Sequence, residues 1–213
     1  AARRGIFVCN VPSYSTPSVA QMTFALLLEI ANGVGLHDES VKAGEWTGFK
    51  TFCYWKKLQV ELCDKTFGVV GFGSTGRAAA AIARAFGMEV RVYTRTQRPE
   101  QLGEGMAFCT LDELLQTSDV LSLHCPLTDE TQGLIDADAL RRMKRGAILL
   151  NTARGALCDE RAVADALRTG QLAGAGFDVA SVEPIAADNP LLTAPNCFIT
   201  PHIAWATKAA RSR

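Results

Sequence analysis

An α/β fold built on a doubly wound parallel sheet is what this sequence predicts, on three observations. From residue 64 onward, short apolar runs alternate with segments of helical periodicity. That is the pattern of a parallel sheet covered by helices on both faces. A glycine turn, Gly71-Phe72-Gly73-Ser74-Thr75-Gly76, lies between the first run and the first helix of this series. Three polar residues, Arg154, Glu183 and His202, follow three later runs, AILLN, AGAGFDVA and CFIT. Ligands of open α/β sheets bind outside the carboxyl ends of the strands. Turn, cation, acid and histidine are therefore expected at one edge.

The elements read in order as follows. GIFVC at 5–9 reads as a strand whose neighbours are not encoded upstream. Residues 18–31 carry apolar side chains at helical spacing, with Ser18 as cap and Gly33 past the end. That helix is apolar nearly all round, so it is expected to be buried, with a second subunit as one candidate cover. Residues 45–60 hold Trp46, Phe49, Phe52, Tyr54 and Trp55 without a clear period. They read as an irregular arm, folded onto the body or contacting a partner. Then come the strand TFGVV, a helix at 76–86, the strand EVRVY and a short helix at 111–117. The strand DVLSLH follows, then a helix at 136–145 ending at Gly146, and the strand AILLN. A helix at 159–169 ending at Gly170 precedes the strands GAGFDV and CFIT. A further helix begins near Thr207, and both ends of the sequence read as cut.

Bulk composition narrows the function. A length of 213 residues suits one large domain or two small ones, and 48% hydrophobic residues suffice for a substantial core. The 22 basic and 22 acidic residues cancel, so no global field favours nucleic acid or an anionic membrane. FALLLEIA and AAAAIARAF are too short to span a bilayer, and no leader-like segment opens the sequence. Seven cysteines (9, 53, 63, 109, 125, 158, 197) form no CxxC or other metal-binding spacing. They read as reduced thiols of a cytoplasmic protein, mostly small buried hydrophobes, with Cys125 the best candidate for a reactive one. No metal site is expected.

The glycine turn has the context that gives such a pattern meaning. Gly71 permits the tight turn, Gly73 lets a pyrophosphate approach the backbone, and Gly76 lets helix and strand pack closely. The helix amino end then offers free N–H groups and a partial positive charge to phosphate. An acid at the end of the second strand, roughly 20 residues on, would bind the ribose 2′-hydroxyl of NAD. Thr94 stands there instead, followed by Arg95, Thr96 and Arg98. Arg95 can pair with a 2′-phosphate, and the two threonines can donate hydrogen bonds. NADP(H) is the expected cofactor, with NAD(H) as the alternative.

Hydride reduction of a 2-keto acid makes three demands that the polar residues match. Arg154 can anchor a carboxylate through parallel hydrogen bonds. His202 can deliver the proton, because imidazole titrates near working pH. Glu183 can orient that ring and favour its charged form.

At these residues the chain resembles the D-isomer-specific 2-hydroxyacid dehydrogenase family. The matching stretches are VVGFGSTGR, HCPLTDETQGLI, LLNTARGALCDE, FDVASVEP and TPHIAWAT. FCYW, the GM of AFGMEV, and HIAWAT resemble the glycerate dehydrogenase or hydroxypyruvate reductase branch. The resemblance implies Arg154 as substrate-binding arginine, Glu183 as the acid paired with histidine, and His202 as acid/base. It implies cofactor contacts at Ser74, Thr75, Thr94, Arg95, Thr96, Cys125, Pro126 and Thr131. Thr152, Ala153, Arg154, Asp178, His202 and Ala204 are implied as well, with Asp178 holding the nicotinamide carboxamide.

The family's architecture implies a remnant of the substrate domain at 1–17, a dinucleotide-binding domain at 18–200, and the return to the substrate domain at 201–213. It also implies homodimers through the nucleotide domain, with helix 18–31 at the interface. The expected substrates are hydroxypyruvate and glyoxylate, reduced to D-glycerate and glycolate. The family's amino-terminal substrate segment is absent here, so the chain is expected to bind nucleotide yet to turn over poorly. A nucleotide-sensing module of the same fold is a reading from a different class, because corepressors keep the same three residues. A dehydrogenase acting on phosphonate or formate is a third.

Overall fold

A computed structural model describes residues 4–7 and 9–213. Its centre is one seven-stranded, wholly parallel sheet in the order β3-β2-β1-β4-β5-β6-β7. The strands are β1 (Thr66–Val70), β2 (Glu89–Tyr93), β3 (Met106–Phe108), β4 (Val120–Leu123), β5 (Ala147–Asn151), β6 (Leu172–Phe177) and β7 (Cys197–Ile199). The helices are α1 (Thr16–Asn32), α2 (Val34–Lys42), α3 (Ser74–Ala85), α4 (Leu111–Thr117), α5 (Ala137–Arg142), α6 (Glu160–Arg168) and α7 (Lys208–Ser212). The strand order reverses between β1 and β4, which opens a crevice there.

Two apolar clusters cover the sheet. One packs α4, α5 and α6 around Leu121, Leu149 and Phe177. The other packs α1 and α3 around Phe67, Val69 and Leu150. This is the doubly wound arrangement that the strand–helix alternation predicts.

The predicted strand at 5–9 is not formed: Gly5, Ile6, Phe7 and Cys9 are outside any strand, and Val8 lies outside the described residues. α1 begins at Thr16, so Ser18 is not its cap. Ser18 is buried inside the helix and its hydroxyl meets Thr207 Oγ1 at 2.6 Å. Nor does the apolar character of α1 need a second subunit to cover it. Leu26, Leu27, Ile30 and Ala31 are buried within this chain, against α3, β5 and β6. The glycines of GAGF make that possible: a Cβ on Gly174 would come within 2.5 Å of Ile30 Cγ2.

Gly33, at φ +59, ends α1 in the left-handed conformation that suits glycine. α2 then starts at once, where the sequence shows only a polar stretch. His37 is half-buried in α2 and makes two bonds. Its Nδ1–H donates to the Gly33 carbonyl at 2.7 Å, and Nε2 accepts from the Lys56 backbone N–H at 3.1 Å. Residues 43–65 contain no helix or strand, as expected for the arm. The short edge strand β3 has too few apolar residues to announce itself.

Candidate active site

Strand register brings the candidate site residues to one edge. Tyr93, Val70, Leu123, Asn151, Phe177 and Ile199 form one row across the sheet. The next residue on each strand is Thr94, Gly71, His124, Thr152, Asp178 and Thr200, so all six leave the sheet together. Arg154, Glu183 and His202 follow on the last three of these connections.

At the crevice between β1 and β4, a Cβ on Gly71 would lie 2.7 Å from the Cys125 backbone nitrogen, and one on Gly76 would lie 2.1 Å from the Gly71 carbonyl oxygen. Packing therefore demands both glycines. Gly73 is different. Its φ is −72°, open to any residue, and a Cβ there would meet no protein atom within 4 Å. Neither backbone nor packing requires glycine at 73. Its bareness fits a ligand group that approaches the main chain, as a dinucleotide pyrophosphate does. Ser74 and Thr75 follow it into the first turn of α3, whose amino-terminal N–H groups have no side-chain cap.

A cleft of about 340 Å³ runs from this turn past Thr94, Arg95 and Thr96 to Cys125, Pro126 and Thr131. No carboxylate stands at the end of β2, and Arg95 is exposed beside the cleft. Thr131 closes the 126–131 loop: its hydroxyl donates to the Pro126 carbonyl at 2.8 Å and accepts from the Thr128 N–H. His124 is bonded to Ser122 Oγ through Nε2, and burial pushes its pKa down to about 4. It is neutral at pH 7.

Cys125 is buried, and burial raises its thiol pKa, which removes the case for a reactive thiolate. Burial likewise raises Cys158, and pushes Cys197 to about 12. Cys9, Cys53 and Cys63 are exposed, contrary to the reading of the cysteines as mostly buried.

On the far side of the edge, His202 Nδ1 and Glu183 Oε2 are 2.6 Å apart. The Glu183 carboxylate also accepts from the Ala180 N–H at 3.0 Å. Partial burial works against its ionised form, but the bonds from His202 and Ala180, with the charges of His202 and Arg154, outweigh it. The carboxyl therefore titrates below the usual range. Arg154 is exposed, and its Nη1 donates to the Ala153 carbonyl at 2.6 Å, which leaves its other N–H groups for a ligand. The structure thus joins Glu183 directly to His202 and sets Arg154 within electrostatic reach of Glu183. Beside the pair lies a hollow of about 640 Å³ whose walls include Val179, Ile185, Leu192 and Ile199.

Four further residues hold these loops, and sequence reasoning assigned none of these holding roles. Buried Asn151 donates to the Arg154 carbonyl and accepts from the Ala153 N–H, shaping the turn that carries the arginine. Gly155 lets that turn touch the next one: a Cβ there would lie 1.9 Å from the Ala180 carbonyl carbon. Asp178, 1% exposed, accepts from Thr200 Oγ1 and from the N–H groups of Ile203 and Ala204. His202 sits between those anchors at φ +55, a left-handed conformation in which histidine is enriched but which still strains a side-chain-bearing residue. Asp178 therefore fixes the turn that presents the histidine. Glu160 is the fourth, buried beneath the 180s loop. Position after a strand was a sequence signal for Asp178 alone. Thr152 Oγ1 meets Thr23 Oγ1 of α1 at 3.0 Å, tying the arginine turn to the helix beneath.

Fold, glycine turn and edge define a dinucleotide-binding domain with an acid-paired histidine. The profile of the D-isomer specific 2-hydroxyacid dehydrogenase NAD binding domain matches residues 24–204, and the chain belongs to that family. It is 46% identical over its whole length to a hydroxypyruvate reductase of Blautia hydrogenotrophica, of which it spans 66%. It is 41% identical to a glyoxylate reductase of Korarchaeum cryptofilum, again over its whole length and 64% of that protein. A crystal structure of a Thermus thermophilus protein is 44% identical, with a TM-score of 0.88 over all of this chain and 66% of that one. The chain thus spans just under two thirds of the length of these relatives.

Proposed function

We propose that this chain is the nucleotide-binding and proton-transferring part of an NAD(P)-dependent D-2-hydroxyacid dehydrogenase that reduces hydroxypyruvate or glyoxylate. The observation that carries the reading is the 2.6 Å contact between His202 Nδ1 and Glu183 Oε2 at the sheet edge that also bears the nucleotide cleft. The names of the Blautia and Korarchaeum relatives point to the same substrates.

Bound reduced nicotinamide would supply the hydride. The glycine turn and the start of α3 would hold the pyrophosphate, and Thr94, Arg95 and Thr96 the adenosine ribose, with Arg95 favouring a 2′-phosphate. Asp178, Thr152, Ala153 and Ala204 surround the turns nearest the chemistry, and Arg154 anchors the substrate carboxylate. Because His202 Nδ1–H donates to the Glu183 carboxylate, Nε2 is the nitrogen left to serve the substrate. As the carbonyl carbon gains hydride, its oxygen takes the proton from Nε2 and becomes the hydroxyl. Reduction requires the imidazolium as proton donor, and oxidation the neutral ring as acceptor.

The division at residues 17/18 and 200/201 is part of this proposal, as are cytoplasmic location and a homodimer. Exposed Trp46, Phe49, Phe52 and Trp55 support the dimer.

His202→Gln tests the reading in the full-length protein. Hydroxypyruvate reduction is expected to slow by about 10²–10⁴-fold, the scale of general acid catalysis, while nucleotide affinity measured by fluorescence stays near wild type. Wild-type turnover in that variant would refute the role of His202. If the wild type turns over no small 2-keto acid yet binds nucleotide, the protein is a sensor of this fold instead.

A further inference from the structure

We propose that Glu160 is a positioning residue for the Glu183–His202 pair, holding through one buried carboxylate both ends of the loop that carries Glu183. The inference rests on the function proposed above and adds a residue outside the arginine–glutamate–histidine set.

Glu160 is the first residue of α6, yet the helix has no need of it as a cap. Asp159 already accepts from the N–H groups of Arg161 and Ala162. The Glu160 side chain points inward instead and the residue is 9% exposed. Its Oε1 accepts from the Ser181 N–H at 2.7 Å. Its Oε2 accepts from Ser181 Oγ at 2.6 Å and from Asn189 Nδ2 at 2.8 Å. Burying a carboxylate is costly unless hydrogen bonds replace its water. Here all three replacements come from the two ends of one loop, 181 and 189.

The path from that carboxylate to the reacting ring is short. Ser181 follows Ala180, whose N–H bonds Glu183 Oε1, while Glu183 Oε2 bonds His202 Nδ1. Gly155, next to Arg154, packs closely on the Ala180–Ser181 peptide, whose N–H Glu160 accepts. Glu160 and Gly155 thus both bear on that peptide, and the peptide just before it carries the N–H that bonds Glu183. No Lys or Arg bonds Glu160 among the described residues. The titratable groups near it are the thiols of Cys158 and Cys197, both raised partly by its charge. Those facing His202 are Glu183 and, beyond it, Arg154.

The test reads the histidine ring and needs no turnover. The chain has three histidines, so ¹⁵N-histidine labelling gives three ring pairs, assigned by His→Gln replacement. At a pH where the rings are neutral, nitrogen shifts report which nitrogen holds the proton. Wild-type His202 should be the Nδ1–H tautomer. Glu183→Gln should relax it toward a mixture. Glu160→Gln should move it part of the way to the Glu183→Gln shifts and raise the pH at which the Glu183 carboxyl titrates, with His37 and His124 unchanged. Ser181→Ala, which removes one of the three bonds, should give a smaller shift in the same direction and serves if Glu160→Gln does not fold. Wild-type His202 shifts in a folded Glu160→Gln or Ser181→Ala chain would overturn the positioning role. Wild-type shifts in Glu183→Gln would instead refute the pairing of Glu183 with His202, on which the proposed function stands.

Discussion

Thr94 occupies the place just past β2 where a carboxylate would meet the ribose 2′-hydroxyl, and Arg95 stands next to it. A carboxylate there would repel a 2′-phosphate, whereas an arginine pairs with it. Thr94→Asp is therefore expected to weaken NADPH binding roughly tenfold, since a like charge at contact distance is worth about 1.4 kcal/mol or more near a surface. NADH binding should hold or improve, and titration of each nucleotide by fluorescence checks it. Unchanged NADPH affinity would show that Arg95 does not face the phosphate. Legibility at this scale follows chemistry. Gly71 and Gly76 serve a spacing rule, and His202, Glu183 and Arg154 are unusual polar residues straight after apolar runs. Asn151, Gly155 and Glu160 are ordinary residues whose value is a partner far along the chain or across a turn, and sequence spacing carries no sign of it.

Between elements, the contact of α1 with β6 matters most for the site. The helix lies across Gly174 and Gly176, and from there it holds Thr152 and Thr207 through Thr23 and Ser18. Gly174→Val would drive a Cβ to 2.5 Å from Ile30 Cγ2. Overpacking of that kind costs about 1–3 kcal/mol, a fall in Tm of roughly 2–4 °C per kcal/mol for a chain of this size. Differential scanning calorimetry measures it, and a wild-type Tm would mean that α1 is free to lift. Most elements were readable because period and length agree with burial: AILLN, TFGVV and 111–117 came out at their expected bounds. α2 was not, because it is a polar helix held by Gly33, Glu29 and His37 rather than by an apolar stripe. GIFVC carried strand propensity, but none of its described residues, Gly5, Ile6, Phe7 and Cys9, joins the sheet.

Over the whole molecule, apolar surface gathers on the arm. Phe52 is 89% exposed, Leu58 80% and Trp55 65%, while Tyr54 is anchored to Ser40. Surface of that kind on one irregular segment suits a self-complementary interface. Light scattering on the protein should therefore give twice the chain mass, and Phe52→Ser with Trp55→Ser should give the monomer without loss of secondary structure. A wild-type monomer at micromolar concentration would rule out the dimer.

Sequence by itself determined the strand–helix alternation, the nucleotide turn and the three residues proposed for chemistry. Those are local properties: periodicity, glycine spacing and the type of side chain that follows a strand. Only the tertiary structure decided that the six strand ends leave the sheet in one row, that Cys125 is a buried thiol, and that α1 is covered by its own chain. Tertiary structure alone also showed three buried polar residues, Asn151, Glu160 and Asp178, holding the three turns of the site. Register, burial and long-range hydrogen bonds are relations between distant residues, and they take a value only once the chain has folded.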